Sequence, residues 1–305
     1  MARIFPFQAY RYGAQAGPLE HLATQPYDKI TPAMQARYLA LSPYSAVRVI
    51  LGPRLPSDSD TDNVYTRAHR HLEDWITAGI LIQEPEPCFY AYFQEFTDPD
   101  TGERLVRKGL IGLGAVEDYS AGVVHRHEQT LSGPKQDRLE LLRHIRAHFG
   151  HIFMLYPDAP GTIDALIDEA AQAEPVAAVV DEHQARHTLW RIAEPKRIAR
   201  IQDLMVDKKL LIADGHHRYE TALAFGREYP ELPGADRVMM TFVNMYSPGL
   251  RILATHRVVR GLTAFQTDDF LRRAAEAGFR ARPVGSLGAL RAAWAERHLE
   301  RVLIG

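Results

Sequence analysis

Cysteine is nearly missing from this chain: Cys88 is alone among 305 residues. A single thiol excludes an internal disulfide framework and a cysteine-built zinc site. Long apolar runs are missing too, and nothing approaches the ~18 residues that a membrane-spanning helix requires. Neither sign of charge dominates, because 36 Lys+Arg face 38 Asp+Glu and leave a formal charge of −2. The basic residues are scattered among acidic ones, so the clustered positive surface that releases counterions from a phosphate backbone is not present. That argues against nucleic acid as the main partner. The opening Met1-Ala2-Arg3-Ile4-Phe5-Pro6 has no secretory apolar core followed by a small-residue cleavage site. Cytoplasmic residence, with no membrane partner, is the expectation.

What is present is ordinary globular composition, 46% apolar and 24% charged. The length allows two domains, or one large domain with an appendage. Thr31-Pro32 reads as an N-cap with proline at the first helical position, opening a helix to about Leu41. Pro53 to Asp62 is a polar loop. A helix from about Thr61 carries Tyr65, Ala68, Leu72, Trp75 and Ile76 on one face and stops at Gly79. Two β-rich runs, Cys88 to Phe96 and Leu105 to Val116, flank the turn residues Asp98-Pro99-Asp100-Thr101-Gly102 and predict a hairpin.

The pattern changes at Asp118. A loop with His125, His127 and Glu128 leads into a helix from about Lys135 to Phe149, striped by Leu139, Leu142, Ile145 and Phe149. Strands are expected at Ile152 to Tyr156, Val176 to Val180 and His187 to Ile192, with helices at Gly161 to Gln172 and Pro195 to Val206. Lys209 to Ala213 is a short apolar strand running into Asp214-Gly215, and a helix comes next from His217 to Arg227. Arg237 to Met245 and Leu250 to Ala254 read as a closing strand pair around Ser247-Pro248-Gly249. After Gly261 the order is helix (Thr267 to Ala277), strand (Phe279 to Val284), helix (Gly288 to His298) and strand (Arg301 to Ile304). Ending on a strand suggests that the natural protein continues.

The segment Asp214-Gly215-His216-His217-Arg218 concentrates chemistry. A strand, a glycine turn and a helix start expose unpaired N–H groups at the positive end of a helix dipole, which suits an anion. Gly215 permits a sharp turn and close approach of a ligand to the backbone. Arg218 offers a planar fork for phosphate oxygens, and His216 and His217 supply donors or a proton carrier near neutral pH. Asp214 can cap the helix, hold a metal ion or accept a proton. The plain alternative is an Asp-Gly turn with locally satisfied histidines.

Ile212-Ala213-Asp214-Gly215-His216-His217-Arg218-Tyr219-Glu220-Thr221-Ala222 resembles the signature of the domain of unknown function 1015 family. Pro26-Tyr27-Asp28, His127-Glu128-Gln129-Thr130, Asp137-Arg138-Leu139, Leu189-Trp190 and Thr255-His256-Arg257-Val258-Val259 resemble its other elements, in order along nearly the whole chain. The Asp-Gly-His-His-Arg turn is in addition similar to the phosphate-binding turn of the ParB/sulfiredoxin-like superfamily. That likeness implies one of three activities. Sulfiredoxin chemistry needs a cysteine where His216 stands, and a DNA clamp needs a helix-turn-helix domain after the nucleotide domain, where this chain alternates helix and strand. The free-serine kinases, which share the turn, remain.

The resemblance then implies that Gly215, His216, His217 and Arg218 bind the phosphates of ATP or ADP. It implies that Asp214 supports Mg²⁺ or the transfer itself, with His217 beside it in the catalytic set. Such a kinase uses an upstream carboxylate as base, for which Glu128 is the candidate. Asp28, His127, Thr130, His256 and Arg257 are further ligand-site candidates. His125, His127 and Glu128 with His216 and His217 are alternatively a transition-metal site, although adjacent histidines diverge. Arg138 beside Asp137 reads as a surface ion pair, and the tyrosines and Trp190 read as core.

The expected fold is α+β, with an N-terminal helical and β-hairpin region over 1–117. A ParB/sulfiredoxin-like nucleotide-binding core occupies 118–260, and 261–305 begin a C-terminal α/β segment. The expected function is nucleotide-dependent phosphoryl transfer to a small hydroxylated metabolite. The alternatives are a non-catalytic nucleotide-binding or regulatory module and a metal-dependent hydrolase.

Overall fold

The computed structural model describes residues 1–99, 101–128, 132–252 and 259–295. The chain divides into two compact units, Met1–Arg251 and Ile252–Gly305. In chain order the first unit contains β1 (Ile4–Phe5), β2 (Tyr10–Tyr12), α1 (Leu19–Leu22), α2 (Pro32–Leu41), α3 (Val47–Ile50), α4 (Val64–Thr77), β3 (Leu81–Gln83), β4 (Phe89–Thr97) and β5 (Arg104–Ala115). It continues with β6 (Val124–His125), α5 (Ser132–Ile145), β7 (Ile152–Tyr156), α6 (Thr162–Ala170), β8 (Ala177–Val180), β9 (Arg186–Ile192), α7 (Pro195–Met205), β10 (Leu210–Asp214), α8 (His216–Glu228) and β11 (Arg237–Asn244). The second unit holds α9 (Thr267–Glu276) and α10 (Leu287–Ala295). The chain is therefore α+β.

Local chemistry accounts for the clearest elements. Thr31 caps α2 by accepting the Met34 N–H, with Pro32 next. Asn63 caps α4 in a reciprocal box with Thr66. Ala68, Leu72 and Trp75 of α4 pack with Val49 of α3 and with Leu141 and Ile145 of α5.

The main sheet runs in the order β6-β10-β7-β11-β5-β4-β9-β8, with β1 also pairing with β5. It is mixed: β11 runs parallel to β7 and β10 parallel to β6, whereas β10 and β7 are antiparallel. Strands from both sides of residue 117 are interleaved in it, since β11 and β4 flank β5. One face buries the principal core, with Phe89, Leu110, Ile152, Met154, Met240 and Phe242 packed against Ile163 and Ile167 of α6, Ile201 of α7 and Tyr219 of α8. Side chains alternate across a strand, so the opposite face carries Tyr92, Arg107, Phe153, Thr241 and His187.

Three expectations are corrected. His125 lies not in a loop but in β6, whose two residues pair with Leu210 and Leu211. Residues 279–284 form no strand, and Pro283 there has no N–H to give a ladder. Leu250 to Ile252 are not in a strand, and the rest of that expected strand lies outside the described residues, as does Arg301 to Ile304. Among the described residues, no helix is long and apolar enough to cross a membrane.

Candidate functional site

β10 delivers the turn. Its pairing with β7 is regular through Ile212 opposite Met154, then shifts so that Asp214 faces Phe153 and Ala213 is the extra residue. Such an irregularity bends the strand and re-aims the residues beyond it. Gly215 then adopts φ 94° and ψ 27° and begins α8 without a side-chain cap. L-residues avoid this region, so glycine is required for the chain to enter the helix at this angle. Gly215 has no side chain with which to cap α8, so the helix dipole begins at bare backbone there.

Arg218 folds back over its own turn. It donates to the Asp214 carboxylate and to the His151 carbonyl. A β-carbon on Gly215 would sit 3.1 Å from Arg218 Nε, and one on Gly150 would sit 3.3 Å from Nη1. Both glycines therefore make room for the guanidinium. Asp214 is 61% exposed against 19% for Arg218, so the carboxylate faces solvent while the guanidinium roofs the turn.

His216 lies beneath, 3% exposed. Its Nδ1 is 3.4 Å from Glu128 Oε2, and its ring meets His127 edge-on at 4.7 Å between centroids. Nε2 is buried and has no hydrogen-bond partner among the described residues. Burial pushes the imidazole pKa down despite the Glu128 charge, so the ring is neutral at pH 7. A neutral ring that turns Nδ1–H toward Glu128 leaves Nε2 as an unused acceptor. Glu128 itself is 64% exposed. His217, the next helical residue, is half-buried.

A surrounding frame fixes these groups. Glu220 of α8 holds Arg126 at 3.2 Å and Lys135 at 2.8 Å, tying the loop before Glu128 and the start of α5 to α8. Tyr219 donates to the Glu117 carbonyl at 2.7 Å. On the other flank, the Arg138 guanidinium lies 4.3 Å over the Tyr27 ring. It also donates to the Ile50 carbonyl at 2.6 Å and pairs with Asp137. Asp137 in turn accepts from Arg54 at 2.7 Å and Tyr65 at 2.8 Å. Burial raises the Tyr27 phenol, and the charges of both Arg138 and Arg218 act against that rise. Tyr27 thus feels the fields of two sequence-distant motifs.

The structure brings together Asp214, Gly215, His216, Arg218, His127 and Glu128, with Tyr27 and Arg138 beside them. Arg138 is a correction: it pairs with Asp137 but is 11% exposed, because Tyr27 covers it. Asp28 is exposed on the loop after Tyr27. His125 ends β6 with its side chain exposed. Thr130, His256 and Arg257 lie outside the described residues. Among the described residues, no group of three His, Cys, Asp or Glu side chains is placed to hold one metal ion. Sequence reasoning missed Gly150 and His151, the latter anchoring Arg218 through its carbonyl; only the small residue two positions before β7 hinted at a close approach there.

Fold and site together define an α+β protein with a strand–turn–helix centre lined by a guanidinium, two imidazoles and two exposed carboxylates. The family described as "Protein of unknown function (DUF1015)" matches residues 4–299, and the chain belongs to it. Neither a curated protein nor a solved structure matches the chain.

Proposed function

We propose that this protein transfers a phosphoryl group from a nucleotide to a small hydroxylated metabolite, on a core of the ParB/sulfiredoxin-like kind. One observation carries the reading. The uncapped start of α8 at Gly215 coincides with a buried imidazole, His216, whose Nε2 lacks a partner among the described residues. A helix N-terminus draws phosphate through its free N–H groups and dipole. A neighbouring buried acceptor without a partner is costly unless an O–H or N–H donor of a ligand, here the metabolite rather than the phosphates, completes it.

The residues fit the roles. The N–H groups after Gly215 receive phosphate oxygens of ATP or ADP. Asp214, exposed at the strand end, would hold Mg²⁺, which when bound takes up charge on the phosphates. Engaging Asp214 in this way frees Arg218 from its carboxylate partner, and the guanidinium then adds to the positive lining of the turn. Glu128 accepts the proton of the acceptor hydroxyl. The oxygen attacks the terminal phosphorus, a new P–O bond forms, and the bond to the leaving nucleoside diphosphate breaks. His216 and His127 hold the Glu128 side chain in place. His217, on the same first turn, is assigned to the phosphate lining.

The test is a thermal-shift comparison of ATP, ADP and other nucleotides with and without Mg²⁺, followed by transfer assays on small hydroxylated acceptors. Glu128→Gln is expected to abolish transfer and leave nucleotide affinity nearly intact. Turnover that survives in this variant removes Glu128 from the role. Nucleotide stabilisation without transfer to any acceptor replaces the proposal with a non-catalytic binding module. Chelator-sensitive hydrolysis without nucleotide replaces it with a metal-dependent hydrolase.

A further inference from the structure

The sheet face opposite the principal core contains a charged group that the turn does not use. Arg107 of β5 stands across from Gln94 of β4, and Tyr92 is its diagonal neighbour on the same face. The Arg107 guanidinium lies 5.2 Å from the Phe96 ring and 5.3 Å from the Phe153 ring. Nη1 donates to Gln94 Oε1 at 3.3 Å, whereas Nε is buried without a partner among the described residues. Among those residues no carboxylate acts on it; burial lowers its pKa, and the only titratable neighbour opposing that is Tyr92. Arg107 is half-buried, and taking part of a guanidinium out of water without an anion carries a cost that the aromatic faces offset only in part.

Tyr92 is poised beside it. Its hydroxyl is 2.6 Å from His187 Nδ1, and His187 Nε2 is 3.1 Å from Asp181 Oδ2. Asp181 is fixed by the backbone N–H groups of His183 and Ala185, both at 2.9 Å. The network assigns the tautomer: Nε2–H donates to the carboxylate, so Nδ1 accepts the Tyr92 O–H. The lone pairs of the Tyr92 oxygen are then left to accept from a ligand. The face adjoins the turn, since Phe153 is the strand partner of Asp214 and the Tyr92 ring meets that of His151, whose carbonyl holds Arg218.

We propose that this face binds a small carboxylate bearing a hydroxyl or amine on the adjacent carbon. Arg107 takes the carboxylate, and the Tyr92 oxygen accepts from the neighbouring donor. The two aromatic rings and the bond to Gln94 narrow the approach to the guanidinium, which suits a planar carboxylate better than a tetrahedral phosphate. As the seat of a phosphate acceptor the site rests on the phosphoryl-transfer reading; as a binding site it does not.

The experiment is calorimetry and thermal shift on the full chain without nucleotide, with glycolate, glycine, L-serine, acetate and inorganic phosphate as probes. At least one of the first three is expected to bind tenfold or more tightly than acetate. Arg107→Met is expected to abolish that binding and to raise the melting temperature of the ligand-free protein, because it removes an unpaired charge. Tyr92→Phe keeps the ring and is expected to narrow the advantage over acetate to threefold or less. MgATP shifts are expected to be unchanged in both variants. Binding of phosphate alone, or of none of the first three probes, overturns the proposal. So does an Arg107→Met protein that is less stable or does not fold, since Arg107 is then structural. Loss of the MgATP response with retained carboxylate binding would sink the transfer reading and leave this site standing.

Discussion

Replacing Gly215 with alanine tests the geometry of the turn most sharply, and its cost can be worked from two contacts. The residue sits at φ 94°, where an L-residue pays about 1–2 kcal/mol. The new β-carbon would also lie 3.1–3.2 Å from the Arg218 guanidinium, so that flexible group must swing away from the His151 carbonyl. Hydrogen bonds from charged groups are worth about 1.5–3 kcal/mol, and partial exposure of this one reduces its share to about 1 kcal/mol. The sum is about 2–3 kcal/mol, or a fall in melting temperature of roughly 3–5 °C for a chain of 305 residues. Urea unfolding of Gly215→Ala, Arg218→Ala and the double variant supplies the assay. If the methyl expels Arg218, the double variant should be no less stable than Gly215→Ala, a coupling of about 1 kcal/mol. A Gly215→Ala protein within ~0.5 kcal/mol of the parent, or strictly additive effects, would refute the reasoning.

Other perturbations probe the frame around the turn. Arg138→Ala removes the guanidinium from Tyr27 and from the Ile50 carbonyl, and is expected to cost about 2–3 kcal/mol in urea unfolding; a loss below ~0.5 kcal/mol would return Arg138 to the status of a surface residue. Glu84 is 1% exposed and bridges Arg11 and Arg191, with Tyr90 donating at 3.1 Å. Glu84→Ala leaves both guanidinium groups without their buried partner and should cost about 3 kcal/mol, measurable by the same titration. Burial pushes His148 and His151 down to about 4. Between pH 6.5 and 4 the unfolded chain therefore binds more protons than the folded one, and stability falls as pH falls through that window. Each histidine contributes at most ~1.4 kcal/mol per pH unit. His151→Gln should flatten the profile by up to half, and an unchanged slope would count against the assignment.

Where local chemistry decides, the residues could be read directly. Thr31-Pro32 opens α2, the apolar stripe of α4 faces its core, and Asp214-Gly215 ends β10 and begins α8. Where a distant partner decides, they could not. β6 exists only because β10 offers two residues an edge to pair with. Arg138 beside Asp137 looks like a surface pair until Tyr27, more than a hundred positions earlier, lies across it. The stretch 279–284 has apolar character but contains Pro283 and forms no strand. Within the site, the motif residues of the turn were visible, and so was the likeness linking them to Glu128. The fold-back of Arg218 was not, because it depends on space left by Gly150 and on the His151 carbonyl just before β7. Arg107 and Tyr92 sit in an ordinary strand pattern, and only the sheet register sets them side by side.

The central claim is that the backbone amides at the start of α8 receive a nucleotide's phosphates. Hydrogen–deuterium exchange resolved to residues 215–219, recorded with and without MgATP, addresses this directly. Slower exchange confined chiefly to those amides, and lost in Gly215→Ala, is the predicted result. Exchange there that stays the same at saturating nucleotide would contradict it.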